Sequence, residues 1–556
     1  MFTEELIDRK LRYYRAGTLY VLDIKSQKKS SQRRHLPGSV FLLVFGWQTA
    51  DCSEPMIWIT WPRALTPHRR LPGLALCLAG FLSAAGPAGA ETPERLAKRE
   101  CSKCHAFPPP ASMHRVDWEK GAFPYLEDLL GIDQIENYDP QTKAALQARW
   151  DSIKAYYLEH SHEKPPATSS SVPPVSAAFG HRSTVEKLNV TAIHHDATNG
   201  LVYIGDELSR AVLVYDRAFR NVRTFAADKV PCDFQLAEDR LYVCSHGTLD
   251  PLDSETGEVG YITDSGLGEY RPLLRGLNRP TRYVPFRHSD TDYAVLCEYG
   301  ISKGKITVYR ESQPIFVLPI SGAIDCRVLD TDADGQPEIY VLVAQEQECL
   351  LRFTMKPGGG IAQSVLIKKQ PGWGFTAMEM LDADGDGAVN VILSNGDTTE
   401  FRSNPRRYHG IRIYDLGEDD LAEKQFIPAH GVMDFTVLDA EVDGDLDIAS
   451  VSYFADFQHK PHQAAMLHIR TGARFASQPL LGHEQGRWCR IASGDIDGDG
   501  DPDLLLGALN YQTYSRAYER DASFLRSVQI PRAFLERWER IGNHLRVLEN
   551  QDKNSR

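Results

Sequence analysis

From about residue 190 onward, short apolar runs alternate with polar turns, and the alternation itself repeats. Runs of this length, rich in Val, Ile, Leu and Tyr, read as strands rather than helices. Four strand–turn–strand units share one acidic turn: Asp330, Asp332, Asp334, Gly335 and Glu338; Asp382, Asp384, Asp386, Gly387 and Asn390; Asp439, Glu441, Asp443, Gly444 and Asp447; Asp495, Asp497, Asp499, Gly500 and Asp503. The apolar runs 339–341, 391–393, 448–451 and 504–506 follow these turns, so each turn joins two strands. Three more units, at 192–203, 234–243 and 284–295, keep the rhythm without the acids. Seven units spread over residues 180–552 give about 53 residues each, the period of a radial array of small sheets. The expected fold is mainly β: a β-propeller of about seven four-stranded blades. Segments 306–309 and 411–414 serve as outer strands, and 545–549 closes the ring and removes its exposed edge.

Upstream the rhythm changes. Ala145, Trp150, Ile153 and Tyr157 recur at helical spacing and predict a helix over 141–160. Helices over 94–104 and 118–130 complete a small α-helical domain over 91–164. A Pro/Ser linker at 165–179 then leads to the propeller at 180–552. At the N-terminus, Arg69 and Arg70 precede the apolar run 71–85, and Ala88-Gly89-Ala90 supplies a small-x-small site. This reads as a leader over 1–90 with a signal peptide cut after Ala90, and Met56 is an alternative start. The apolar run is too short to span a bilayer comfortably. The expected location is the bacterial periplasm or the cell exterior, with no transmembrane segment in the mature chain.

Charge narrows the partners. The formal net charge is -13; residues 1–90 carry 12 Lys+Arg against 6 Asp+Glu, which leaves about -19 for the rest. That balance argues against nucleic acid and suits cation binding.

Two motifs carry chemistry. Cys101-Ser102-Lys103-Cys104-His105 is a C-x-x-C-H sequence, the spacing of covalent c-type haem attachment. Cys101 and Cys104 would form thioethers, and His105 would ligate the iron from below. A zinc site would want a second ligand pair, and none follows; a thioredoxin-like pair would want a βαβ setting, and Pro108-Pro109-Pro110 follows instead. Candidates for the sixth iron ligand are Met113, His114, His160, His162 or a residue of the next domain. In the acidic turns, oxygens at positions one, three, five and nine converge on a hard cation if the backbone bends sharply at the glycine in position six. Calcium fits best, and the Asp439 and Asp495 turns fit it most closely. The EF-hand's twelfth-position Glu is absent from all four. The alternative is a polar Asp/Gly hairpin holding no metal.

Among the other cysteines, Cys232 and Cys244 lie symmetrically about Glu238, which suggests a cross-strand disulfide, and Cys326 and Cys349 suggest a second. Buried free thiols are the alternative.

The haem motif with Phe107, Pro108 and Trp118, then Tyr156 and Tyr157, the stretch 406–411 and the four acidic turns together resemble a group of secreted bacterial proteins. These proteins join a short c-type cytochrome segment to an FG-GAP/VCBS-type propeller. The resemblance implies one covalent haem, calcium in the acidic turns and export from the cytoplasm. It implies no particular substrate. The chain departs from the pattern at Pro124, which is followed by Tyr125 and Leu126 where such segments often carry a Met.

The functional reading is electron transfer through the haem to a redox partner protein, with the propeller docking a partner or substrate such as a polysaccharide or protein ligand. One alternative is a propeller dehydrogenase feeding its own haem. For that role His194, His195, His246 and Asp434 are candidate groups with nothing in the sequence to link them. Another alternative is a calcium-stiffened adhesion module. There is no phosphate loop and no carboxylate pair outside the acidic turns, so no catalytic residue is assigned.

Overall fold

The structure is a computed structural model. It describes residues 91–551, apart from 103–106, 131, 133–138, 164–173, 250–252, 301, 346, 357–359, 399–405, 482–485, 510–529 and 542–543. The leader, Cys104, His105 and most of the Pro/Ser linker therefore lie outside the described residues.

Seven four-stranded antiparallel sheets form the bulk of the chain. Numbering strands in chain order, blade one is β2–β5 (Val190–Asp196, Leu201–Asp206, Ala211–Tyr215, Asn221–Ala226) and blade two is β6–β9 (Val230–Ala237, Arg240–His246, Gly257–Ile262, Tyr270–Leu277). Blade three is β10–β13 (Pro280–His288, Thr291–Glu298, Lys305–Arg310, Gln313–Pro319), and blade four is β14–β17 (Ala323–Leu329, Glu338–Val343, Cys349–Met355, Ile361–Lys368). Blade five is β18–β21 (Phe375–Leu381, Asn390–Asn395, Gly410–Leu416, Leu421–Pro428), and blade six is β22–β25 (Val432–Leu438, Asp447–Ser452, Ala465–Thr471, Arg474–Pro479). Blade seven is composite: β26 (Trp488–Gly494), β27 (Asp503–Ala508) and β28 (His544–Asn550) from the C-terminus, with β1 (Phe179–Glu186) as its outer strand. The first strand of every blade packs against the first strands of its two neighbours, so the ring is closed.

Burial explains why the second strands read as continuous apolar runs. All six residues of β15, β19, β23 and β27 are buried, because neighbouring blades cover both faces of each sheet. Outer strands face solvent, and five of the six residues of β5 are exposed.

The seven repeat units of the sequence are the hairpins formed by the first two strands of each blade. The segments 306–309 and 411–414 are third strands rather than outer ones. The segment 545–549 lies in β28, itself a third strand, and β1 completes the ring by pairing with it from Phe179↔Asn550 to Glu186↔His544.

Each first strand carries a β-bulge one or two residues from its start, at Thr191, Cys232, Thr281, Ile324, Thr376, Met433 and Cys489. The extra residue turns its side chain toward the next blade. Thr281 Oγ1 donates to the carbonyls of Cys297 (3.2 Å) and Ala323 (2.8 Å), and Thr376 Oγ1 donates to Val432 (3.2 Å). The Cys232 thiol does the same, reaching the carbonyls of Cys244 (3.2 Å) and Pro280 (3.3 Å). This bulge overturns the first disulfide expectation: it shifts the register so that Asp233, not Cys232, opposes Cys244, and both thiols are free. Cys326 and Cys349 sit on β14 and β16, which β15 separates, and both are free.

The N-terminal segment is helical, as expected. Helix α1 (Pro93–Cys101) starts at Thr92, whose side chain accepts Arg95 N–H, and Pro93 occupies its first turn. A π-turn (Trp118–Ala122) leads into α2 (Phe123–Leu130), and α3 (Pro140–His160) is capped by Asp139 through Gln141 and Thr142 N–H. The helices pack on one another through Leu96, Ala97, Trp118, Phe123, Trp150, Ile153, Tyr156 and Tyr157. Buried Glu100 ties α1 to α3 by accepting from Arg149 Nη2 at 2.6 Å. No helix among the described residues is long and apolar enough to cross a membrane.

Candidate functional site

The four acidic turns occupy one structural position, the loop between the first and second strands of blades four to seven. They therefore share one face of the ring. The glycine at position six has φ of 84° (Gly335), 87° (Gly387), 92° (Gly444) and 102° (Gly500). Only glycine adopts such angles without strain, so the predicted sharp bend is present. The first carboxylate folds each loop over itself. Asp382 accepts N–H groups from Gly385 (2.7 Å) and Gly387 (2.9 Å), and Asp439 accepts from Asp443 (3.0 Å) and Gly444 (2.9 Å).

Position nine has a second role that sequence reasoning missed. Glu338, Asn390, Asp447 and Asp503 are buried at the start of the second strand. Each accepts the N–H of loop position two: Thr331 (3.0 Å), Ala383 (2.9 Å), Ala440 (2.9 Å) and Ile496 (3.1 Å). Asp503 also accepts Asn550 N–H (3.0 Å), and Asp447 accepts Arg470 N–H (2.7 Å). Burial pushes the carboxyls of Asp447 and Asp503 up to about 6.

Ligand oxygens converge to within 4.8 Å of one another in three loops: Asp330 with Asp332 and Glu338; Asp382 with Asp384 and Asp386; Asp495 with Asp497 and Asp499. Positions one, three and five thus come together in blades five and seven, and one, three and nine in blade four. Among the described residues the Asp439, Glu441 and Asp443 oxygens form no such group, although that turn ranked with the Asp495 turn on sequence. The blade-seven loop has a partial counter-charge, since Arg182 Nη1 lies 3.3 Å from Asp497.

The ring encloses a central cavity of about 590 Å³. All four candidate groups His194, His195, His246 and Asp434 line it. Among the described residues, none of the four bonds to another. Asp434 instead accepts backbone N–H groups of Phe435 (3.0 Å) and Ile491 (3.2 Å). The dominant wall feature is a charge network. Arg282 reaches Asp233 (2.6 Å) and Asp325 (3.2 Å), and Arg327 reaches Glu379 (2.9 Å). Burial raises Asp233 and Asp434 to about 6 and lowers His194 to about 4. A signal for this network was present in the sequence: Asp233, Arg282, Asp325, Asp434 and Arg490 each interrupt an apolar first strand at the same register, just after the bulge.

Of the haem motif, only Cys101 and Ser102 are described. Cys101 is half-buried at the C-terminal end of α1 and borders the aromatic core together with Met113. The other candidate axial ligands differ in setting. His114 is buried, and its Nδ1 has no hydrogen-bond partner. His160 and His162 are exposed, and His160 Nδ1 donates to the Tyr156 carbonyl.

The helical segment touches the propeller on the face opposite the acidic turns. There Arg406 Nη1 donates to the Ser112 carbonyl (3.5 Å) and to Tyr408 Oη (3.0 Å). His409 and His430 stack with ring centroids 5.2 Å apart.

The sequence profile of the FG-GAP repeat matches residues 490–518, which contain the blade-seven hairpin and its acidic turn. No curated protein matches the chain significantly. Similar solved structures include the hydrazine synthase of Kuenenia stuttgartiensis, with 14% identity over 51% of this chain and 83% of that one and a TM-score of 0.35. YCF48 from Cyanidioschyzon merolae has 11% identity over 59% and 96%, with a TM-score of 0.38. Sqt1 of Saccharomyces cerevisiae has 11% identity over 60% and 96%, with a TM-score of 0.37. The chain is a seven-bladed β-propeller with an FG-GAP repeat in its last blade.

Proposed function

We propose that the protein is an exported c-type cytochrome whose propeller is a calcium-stiffened docking module for a redox partner or substrate. The observation that carries the reading is the C-x-x-C-H sequence beginning at the last residue of a capped helix. Cys101 there borders an aromatic core, and the Nδ1 atom of the buried His114 imidazole has no hydrogen-bond partner. These features fit a covalently held macrocycle: a thiol at a helix end, apolar walls, and an unsatisfied nitrogen nearby. Cys101 and Cys104 would hold the haem and His105 would ligate its iron. The group itself supplies one-electron chemistry. The helical core excludes water from that chemistry, and the contact with blade five fixes the haem-bearing segment to the docking module.

Calcium is supported by the three convergent oxygen clusters, whose loose geometry and hard donors suit it better than a transition metal. The propeller dehydrogenase is a second reading, favoured by the gathering of His194, His195, His246 and Asp434 around one cavity.

A pyridine haemochrome spectrum of the purified exported protein tests the main reading. The expected result is a c-type α-band that survives acid–acetone extraction and is lost in Cys104→Ala; absence of the band overturns it. Chelation with EGTA should lower the melting temperature while that spectrum persists.

A further inference from the structure

Where the helical segment meets the propeller, protonatable and cationic groups converge, and among the described residues no carboxylate is bonded to Arg406, His409 or His114. Arg406 uses its backbone N–H on His430 Nδ1 (3.4 Å) and its Nη1 on Ser112 and Tyr408, while its Nε is buried with no partner. His409 is buried; its Nδ1 faces His430 Nδ1 at 3.2 Å, and its Nε2 has no partner. From the helical side, His114 contributes a third imidazole, itself buried, with an unpartnered Nδ1.

Among the described residues, the surroundings of Arg406, His409 and His114 do not supply the missing charge. His114 feels Arg407 and His162 as well as Asp117, and His409 feels Arg406 and Arg412. His430 feels Arg406, Lys460 and His114 against Asp456. Two nearby carboxylates are already engaged: Glu423 lies 3.3 Å from Arg412, and Asp456 lies 2.9 Å from His459. Burial and the neighbouring cations accordingly hold all three imidazoles below their ordinary range, His430 down to about 4. A buried guanidinium nitrogen without an acceptor is costly, and so is a buried imidazole nitrogen without a partner.

We propose that this seam is an oxyanion site, in which Arg406, His409 and His114 hold a carboxylate or phosphate group. The anion would give Arg406 Nε its acceptor and offset the local cation excess through charge-assisted bonds. It would also take up a proton on binding. With His409 Nδ1–H donating to His430, His409 Nε2 is a bare lone pair and must be protonated to donate to the anion. Affinity should therefore rise about tenfold per pH unit on acidification for one coupled proton. The anion has two sources: a carboxylate of the haem carried by the adjacent segment, which rests on the function proposed above, or a free phosphate, which does not.

The test titrates inorganic phosphate into the full chain carrying Cys101→Ala and Cys104→Ala, which removes haem attachment. The expected result is one saturable site by calorimetry, whose affinity for the phosphate dianion, corrected for the dianion fraction at each pH, is about tenfold higher at pH 6.5 than at pH 7.5. Arg406→Gln should weaken it at least tenfold, Arg406→Lys less, and the exposed Arg407→Gln least. The haem-loaded wild-type protein then separates the sources. Loss of phosphate binding, together with a midpoint potential shifted by Arg406→Gln, identifies the haem carboxylate; retained phosphate binding identifies a free oxyanion. A negative haemochrome leaves the phosphate arm standing alone. The proposal is overturned if the haem-free chain shows no saturable phosphate binding, or if Arg406→Gln with native circular dichroism binds phosphate unchanged.

Discussion

Blades one to three and blades four to seven solve the same problem in different ways. In both groups the chain must reverse between the first and second strands of a blade. Blades two and three reverse through two residues, Glu238-Asp239 and Ser289-Asp290. Glu238, Ser289 and Asp290 take left-handed φ of 54°, 46° and 59°, as tight hairpins require. Blades four to seven reverse through eight residues, crowd carboxylates into the loop, and depend on a buried side chain at position nine to hold it. The short turns are self-contained, whereas the long ones bring like charges together and gain stability when a cation binds. With calcium bound as proposed, the same fold would contain an ion-indifferent arc and an ion-responsive arc.

The largest expected contrast is at position nine. Asp503→Ala strips buried N–H groups of Ile496 and Asn550 of their acceptor and should cost about 3 kcal/mol or more, at roughly 1–3 kcal/mol per orphaned group. Asp239→Ala, in an exposed two-residue turn, should stay within about 0.5 kcal/mol. Urea denaturation checks both, and equal effects would erase the distinction between the arcs. Next is ion dependence. Calcium at about 100 times its dissociation constant should stabilise by about 2.7 kcal/mol per site, and EGTA should remove this. Hydrogen exchange should then rise in β26–β27 and β18–β19 but not in β6–β7; uniform loosening would refute the partition.

Smaller still is the backbone term. Gly444→Ala, at φ 92°, should cost about 1–2 kcal/mol, whereas Glu238→Gly should be neutral or stabilise by a few tenths of a kcal/mol. The smallest contrast is in acid, where the arcs should converge. His194 in blade one and His468 in blade six are both lowered to about 4 by burial. Each contributes stability that is present above about 6.5 and lost as pH falls toward 4. His194→Gln and His468→Gln should flatten the acid limb of a stability–pH curve alike; a difference confined to one arc would mean that some other group controls acid unfolding.

The hairpins were legible because period and apolar runs report burial directly, and the four acidic turns because their chemistry is written in consecutive residues. The partner of β28 was not legible: Phe179–Glu186 is polar, mostly half-buried and far away in sequence. The bulge at Cys232 was invisible for a similar reason, since one inserted residue changes register without changing composition. Position nine was read as a metal-ligating oxygen, but among the described residues only Glu338 joins a convergent group, and the burial and backbone bonds of this position depend on neighbouring strands. The Arg–Asp network of the cavity left a trace at fixed register. The seam at Arg406, His409 and His114 left none, because it joins residues nearly three hundred positions apart.

The composite seventh blade has a consequence for how the molecule is made. Its outer strand is the first of the propeller to leave the ribosome, and its other three are the last. During synthesis or passage through a translocon, β1 must wait, unpaired, until β28 arrives, so six blades can stand as an open arc with the ring still unsealed. A nascent chain halted before residue 544 would leave β1 and β27 without the strand that joins them, exposing two sheet edges at once.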